Sequence, residues 1–152
     1  EQAYNTETAE ALLKALNYRK CFGFNLDPAN LLWCLCDPVI FVKRLGEKVF
    51  HVHAKDAELV KEELGYSGVA ATGDWRRMDR GFRFRVVGWG DVQWKRLLTA
   101  LQMVGYQYVL SVEHEDPWIN REDGCRKAIQ FLKPLLLEPI ERGWIRDRVE
   151  KK

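Results

Sequence analysis

Val49-Phe50-His51-Val52-His53-Ala54-Lys55-Asp56 decides how the rest of this chain is read. An apolar run carries histidines at alternate positions and ends in a lysine and an aspartate. Alternate side chains of a strand face the same way, so His51 and His53 share a face. His53, nearer the strand end, is the better ligand candidate. His51 also reads as a hydrogen-bonded core histidine. Two other stretches follow the same plan: Phe24-Asn25-Leu26-Asp27-Pro28 upstream, and Val109-Leu110-Ser111-Val112-Glu113-His114-Glu115 downstream. The chain has three histidines, and all of them lie in these stretches.

Helical patterns separate the strands. Asn5-Thr6-Glu7-Thr8 offers cap residues for a helix over 6–18, with Ala9, Leu12, Leu13 and Leu16 at helical spacing. Residues 21–26 read as a buried strand. Asp37-Pro38 is an N-cap followed by proline at the first helical position, opening a helix to Leu45. Residues 48–54 form the next strand. Residues 57–82 read as a long irregular segment, which in a compact domain is usually functional or partly disordered. A short third strand is expected over 83–87. Gly88-Trp89-Gly90-Asp91 reads as a turn with Asp91 capping a helix over 92–104. Residues 108–113 form the last strand, and a helix runs from Asn120 or Arg121 to Leu136. Strands alternating with helices imply a parallel α/β sheet whose ligand site lies beyond the carboxyl ends of the strands. Asp27, His53 and Glu113 all fall at that end. This is the pattern of a metal site at the mouth of a (β/α) barrel, but a full barrel needs about 250 residues. This chain has 152.

The composition narrows the partners. A net charge of +2, from 24 Lys and Arg against 22 Asp and Glu, points to no nucleic acid. No apolar run reaches the ~18 residues of a membrane span. The start Glu1-Gln2-Ala3-Tyr4 is neither a signal peptide nor an initiator methionine, so the chain is expected to begin inside a longer gene product or to have been processed. Cys34-x-Cys36 is too tight for a zinc knuckle. With Cys21 and Cys125, these cysteines read as reduced, buried residues of a cytoplasmic protein.

The chemistry follows from the residue types. A divalent metal held by carboxylates and imidazole polarises a carbonyl and stabilises an enediolate. Oxygen and nitrogen ligands suit manganese, cobalt, zinc or magnesium alike. Plainer readings stand beside these. Asp27 before Pro28 reads equally as a turn residue. His114 points to the opposite face from Glu113 and suits a structural role. Glu113 and Glu115 share a face, so one of them reads as a partner for Lys55. Trp89 and Trp94 read as packing residues.

Taken in order, Gly23-Phe24-Asn25-Leu26-Asp27-Pro28-Ala29-Asn30-Leu31-Leu32-Trp33, Asp37-Pro38, His51-Val52-His53-Ala54-Lys55-Asp56, Val87-Gly88-Trp89-Gly90, Gly105-Tyr106 and Ser111-Val112-Glu113-His114-Glu115-Asp116-Pro117 resemble the sugar phosphate isomerase/epimerase family. That family belongs to the xylose-isomerase-like TIM-barrel superfamily, which also contains endonuclease IV. The resemblance implies an α/β fold: residues 1–137 as the C-terminal half of a (β/α)8 barrel, with about four parallel strands and alternating helices. Residues 138–152 then form a basic C-terminal tail. Family members bind one divalent metal through a Glu, an Asp, a His and a Glu. The resemblance assigns Asp27, His53 and Glu113 to the last three, with Glu113 also in a catalytic acid/base role. It suggests Asn30, Lys55, Asp56 and Arg85 as substrate-binding residues. The first family glutamate is expected before Glu1. Where the family reads Asp-Pro-x-His, this chain has Asn30, which cannot exchange protons near neutral pH.

Two readings result. In the first, the chain is half of a metal-dependent sugar isomerase or epimerase, acting on a small sugar by proton transfer next to a carbonyl. In the second, it is a non-catalytic, truncated half-barrel that oligomerises or binds a partner. A DNA-repair endonuclease needs more metal ligands and a more basic surface. Half a barrel leaves two sheet edges, so a homodimer or a complementary N-terminal half-barrel chain is expected to cover them. Val49, Phe50, Val52, Val109, Leu110 and Val112 are expected to line an uncovered apolar inner face.

Overall fold

The structure is a computed structural model and describes residues 3–138. In chain order the elements are α1 (Thr6–Ala15), β1 (Phe24–Leu26), α2 (Pro28–Trp33), α3 (Pro38–Leu45), β2 (Val49–Ala54), β3 (Asp56–Leu59), α4 (Lys61–Ser67), β4 (Phe82–Arg85), α5 (Trp94–Met103), β5 (Leu110–Val112) and α6 (Arg121–Leu132). Short 3-10 turns cover Gly46–Lys48 and Lys133–Leu135.

The caps are local chemistry. Asn5 accepts from the Thr8 backbone N–H while the Thr8 hydroxyl answers the Asn5 N–H, a reciprocal capping box that starts α1. Asp27 and Asp37 each cap a helix that opens on proline, whose missing N–H costs nothing at that position. Asn120 caps α6.

β1, β2 and β5 form a parallel sheet in that order, with Leu26 opposite Val52 and His53 opposite Ser111. The core lies between this sheet and the helices. Leu26, Val52 and Ala54 meet Leu13, Phe41, Val42, Leu97, Leu101 and Leu132 there. α3 packs on both α1 and α5. This is the architecture of half a (β/α) barrel.

Five expectations need correction. The short third strand, expected over 83–87 within the parallel sheet, is β4, and it pairs antiparallel with β3 in a separate two-stranded ribbon. Phe82-Arg83-Phe84-Arg85 alternates apolar and charged residues, which suits a ribbon solvated on one face and not a sheet covered on both. The segment over 57–82 is not irregular throughout, since it begins with β3 and α4. Asp91 does not cap α5. Its Oδ2 accepts from the Leu59 N–H at 2.7 Å, and Gln93 holds the cap position. Val49 and Val52 do not line an open inner face. Both are packed in the core, 3% and 0% exposed, with Val52 on the face of β2 opposite His51 and His53. Finally, no disulfide joins the cysteines, but Cys21 is exposed in the turn before β1 and the other three are half-buried. The expected basic tail lies outside the described residues from position 139 onward. No described helix is long and apolar enough to cross a membrane.

Candidate metal centre

The three sheet strands end at one place, and each delivers one side chain. Asp27 follows β1, and its two oxygens do different work. Oδ1 accepts the backbone N–H groups of Ala29 and Asn30 at 3.0 and 3.1 Å, as a helix cap does. Oδ2 accepts from the Asn30 amide at 2.9 Å and lies 3.7 Å from His53 Nδ1. The turn and ligand readings of Asp27 are therefore compatible within one carboxylate. Burial pushes the Asp27 carboxyl up from its ordinary pKa, against the opposing pull of Lys55.

His53 lies on β2 with its ring between two partners. Nε2 faces the Asn25 side-chain amide at 3.0 Å, and Nδ1 lies 2.6 Å from Glu113 Oε2. Glu113 follows β5 and extends its ladder, donating its N–H to Ala54 O at 3.1 Å. Its Oε1 lies 3.4 Å from Lys55 Nζ. Its Oε2 is buried and has no hydrogen-bond partner among the described residues, because the close His53 ring nitrogen is not aligned with it. One ligand atom from each of Asp27, His53 and Glu113 lies within 4.8 Å of the other two. Two carboxylates, an imidazole and an orphaned buried oxygen fit a divalent cation. The residues that would hold it are these three.

A cleft of about 410 Å³ opens beside them, lined by Asn25, Asp27, Asn30, His53 and Glu113 at one end and by Tyr4, Phe24 and Phe41 at the other. Asn30 therefore reaches the site. Lys55 does too, from below. Its ammonium contacts Glu115 Oε2 and Glu113 Oε1, lies 3.8 Å from Asp27 Oδ2, and sits 4.2 Å over the Phe84 ring. Burial lowers its pKa, but Glu115, Asp27 and Glu113 outweigh that and hold it above the ordinary lysine value.

Asp56 and Arg85 are placed differently from the substrate-binding role expected of them. Asp56 is fully buried and accepts four bonds, from the N–H groups of Ala57, Gly88 and Val92 and from Trp94 Nε1. It pins the β4–α5 connection to the start of β3. Gly90 is glycine for the same reason, since a Cβ there would lie 2.3 Å from Asp56 Oδ1. Arg85 pairs with Glu58 at 2.6 Å and with Asp116 at 3.2 Å. Neither residue lines the cleft. A strand-end position did not distinguish Lys55, facing the site, from Asp56, facing the core, because the chain turns between them into a second sheet.

The plainer readings of the other histidines agree with the geometry. His51 Nε2 bonds the Ser111 hydroxyl at 2.8 Å across the sheet, and His114 Nε2 bonds Ile119 O at 3.2 Å. Asn25 is the site residue that the sequence reading passed over. Its signal was its spacing, two residues before Asp27, on the strand that Asp27 follows.

Comparison with known proteins agrees with this architecture. The pattern of the family described as xylose isomerase-like TIM barrel matches residues 1–135. The YfiH protein of Bacillus subtilis (strain 168) is 35% identical over 133 residues, which is 86% of this chain and 42% of that protein. A xylose isomerase domain protein from Planctomyces limnophilus superposes with a TM-score of 0.69 at 24% identity, over 88% of this chain and 44% of that one. The IOLI protein, solved with a bound zinc atom, superposes with a TM-score of 0.64 at 20% identity, over 91% and 45%. The chain thus spans less than half the length of the relatives it matches. By its sequence pattern and its half-barrel architecture, this chain belongs to the xylose isomerase-like TIM barrel family.

Proposed function

We propose that this chain carries the metal-binding part of a divalent-metal-dependent sugar or sugar phosphate isomerase or epimerase. The observation that carries the reading is Glu113 Oε2, buried and unpartnered beside His53 Nδ1 and Asp27 Oδ2. A metal bound there would polarise the substrate carbonyl and favour proton removal from the neighbouring carbon. Glu113 holds or moves that proton, since it lines the cleft and the family resemblance gives this position an acid/base role. Lys55 and the Asp27 cap keep the two carboxylates in place. Asn30 donates to Asp27 and is a hydrogen-bonding contact for a small sugar in the cleft. The zinc of IOLI supports a divalent ion in this fold, with manganese, cobalt and magnesium as alternatives for this chain.

The site offers three metal ligands among the described residues, and β1 and β5 each leave one sheet edge unpaired. A third carboxylate and the remaining strands come from a complementary half-barrel, either a second copy of this chain or a separate N-terminal half. A non-catalytic half-barrel is the second reading. It is favoured by Asn30, which stands where the resemblance calls for histidine.

The test is metal content and metal binding of the purified chain, compared with Asp27→Ala and Glu113→Ala. Loss of metal in both variants supports the site, and equal metal in all three proteins rejects it. A panel of ketoses and their epimers, assayed with manganese or cobalt, separates the two readings. Turnover that appears only when a complementary half is added supports the isomerase. No turnover under any pairing favours the non-catalytic form.

A further inference from the structure

We infer that Asn25 is a positioning residue that sets which ring nitrogen His53 offers to the metal. This rests on the metal-site reading above. Asn25 lies on β1, opposite His51 in the ladder, and its amide reaches His53 on the neighbouring strand. The ring has one nitrogen on each side: Nε2 on the Asn25 amide, and Nδ1 toward Glu113 Oε2 and Asp27 Oδ2. The ligand nitrogen is therefore Nδ1.

A neutral imidazole has one N–H and one lone pair. The Asn25 side-chain amide lies 3.0 Å from Nε2. For Nδ1 to offer its lone pair to a metal, the ring proton must be on Nε2, and an acceptor must face it there. The asparagine amide supplies that acceptor through Oδ1. A carboxylate at this position accepts as well, and an apolar side chain does not.

The experiment uses the full 152-residue chain, Zn2+ as the probe, calorimetric titration, and 15N spectra of the histidine rings. In wild-type protein with zinc bound, the His53 ring proton is expected on Nε2, facing Asn25. Asn25→Leu removes the partner and is expected to weaken zinc binding about 10–100-fold, the usual cost of losing a histidine ligand's outer partner. Asn25→Asp is expected to hold the Nε2–H ring even without zinc, and to bind zinc at least as tightly as wild type. The Asn25 side chain is exposed at the sheet edge, so both variants are expected to fold. Wild-type zinc affinity in Asn25→Leu, or equal weakening in both variants, overturns the role given to Asn25. Failure of the wild-type chain to take up zinc at His53 overturns the metal site itself.

Discussion

Lys55 holds its ammonium 3.4 Å from Glu113 Oε1 with only 5% of its side chain exposed. A buried cation among Asp27, Glu113 and Glu115 lets three carboxylates converge on one strand end. Replacing it with an apolar side chain of similar length leaves them facing one another. Lys55→Met is expected to destabilise the metal-free chain by about 2 kcal/mol, below the ~3–5 of a fully buried pair because the glutamates are partly solvated. A divalent ion then restores the missing charge. Denaturant unfolding with and without Zn2+ should show a larger metal-induced stabilisation in Lys55→Met than in wild type. Equal stabilisation in the two proteins would separate Lys55 from the metal site.

Asp56 is expected to act on stability. Asp56→Ala strands the N–H donors of Ala57, Gly88, Val92 and Trp94 in the interior. Each buried donor left without a partner costs about 1–3 kcal/mol, so the variant should lose at least ~3 kcal/mol. Urea unfolding measures it. A stable Asp56→Ala protein with altered ligand binding would return Asp56 to the substrate side.

Gly124 sits under the His114 ring. A Cβ at Gly124 would lie 2.3 Å from His114 Cε1. In an open helix, Gly→Ala gains up to about 1 kcal/mol. Here the sign is expected to reverse, with Gly124→Ala costing about 1–3 kcal/mol through overpacking. The double variant His114→Ala/Gly124→Ala removes the clash. Thermal melts should then show Gly124→Ala as harmless or stabilising in the His114→Ala background. The same penalty in both backgrounds would mean that the ring is not the obstacle.

The outer edges of β1 and β5, unpaired among the described residues, are expected to find a partner. Barrels of this kind leave no edge open, and a free edge templates association. Light scattering over a concentration series should report a dimer, or a complex once a complementary half-barrel is present. A well-folded monomer at micromolar concentration, indifferent to such a partner, would refute this.

Much of the fold was legible because its signals are local. Asp37-Pro38 marks a helix start through a cap and a preset φ, whatever surrounds it. Asp27-Pro28 is the same signal and starts α2, yet it was read as a turn or a ligand, since a metal-site expectation competed with the cap. The alternation of His51 and His53 with Val52 and Ala54 correctly sets two histidines against two core residues. Phe82-Arg83-Phe84-Arg85 shows strand character, but not which strand it pairs with. Pairing depends on β3, a short stretch holding two acidic residues with little strand signal of its own.

By itself the sequence determined the alternation of β1, β2 and β5 with α1, α3, α5 and α6, the family, and the three residues Asp27, His53 and Glu113 that end successive sheet strands. Tertiary structure decided the rest, because the remaining questions concern which way a side chain turns once strands are placed side by side. Lys55 and Asp56 are neighbours in sequence, but the chain passes from one sheet to another between them. The lysine therefore enters the carboxylate cluster, and the aspartate enters a cage of four N–H donors. The bond from Asn25 to His53, and the unpartnered oxygen of Glu113, arise from parallel pairing in register between segments far apart in the chain. No local periodicity encodes that register. It follows from packing one face of the sheet against the helices, which leaves the polar face to gather at the mouth of the half-barrel.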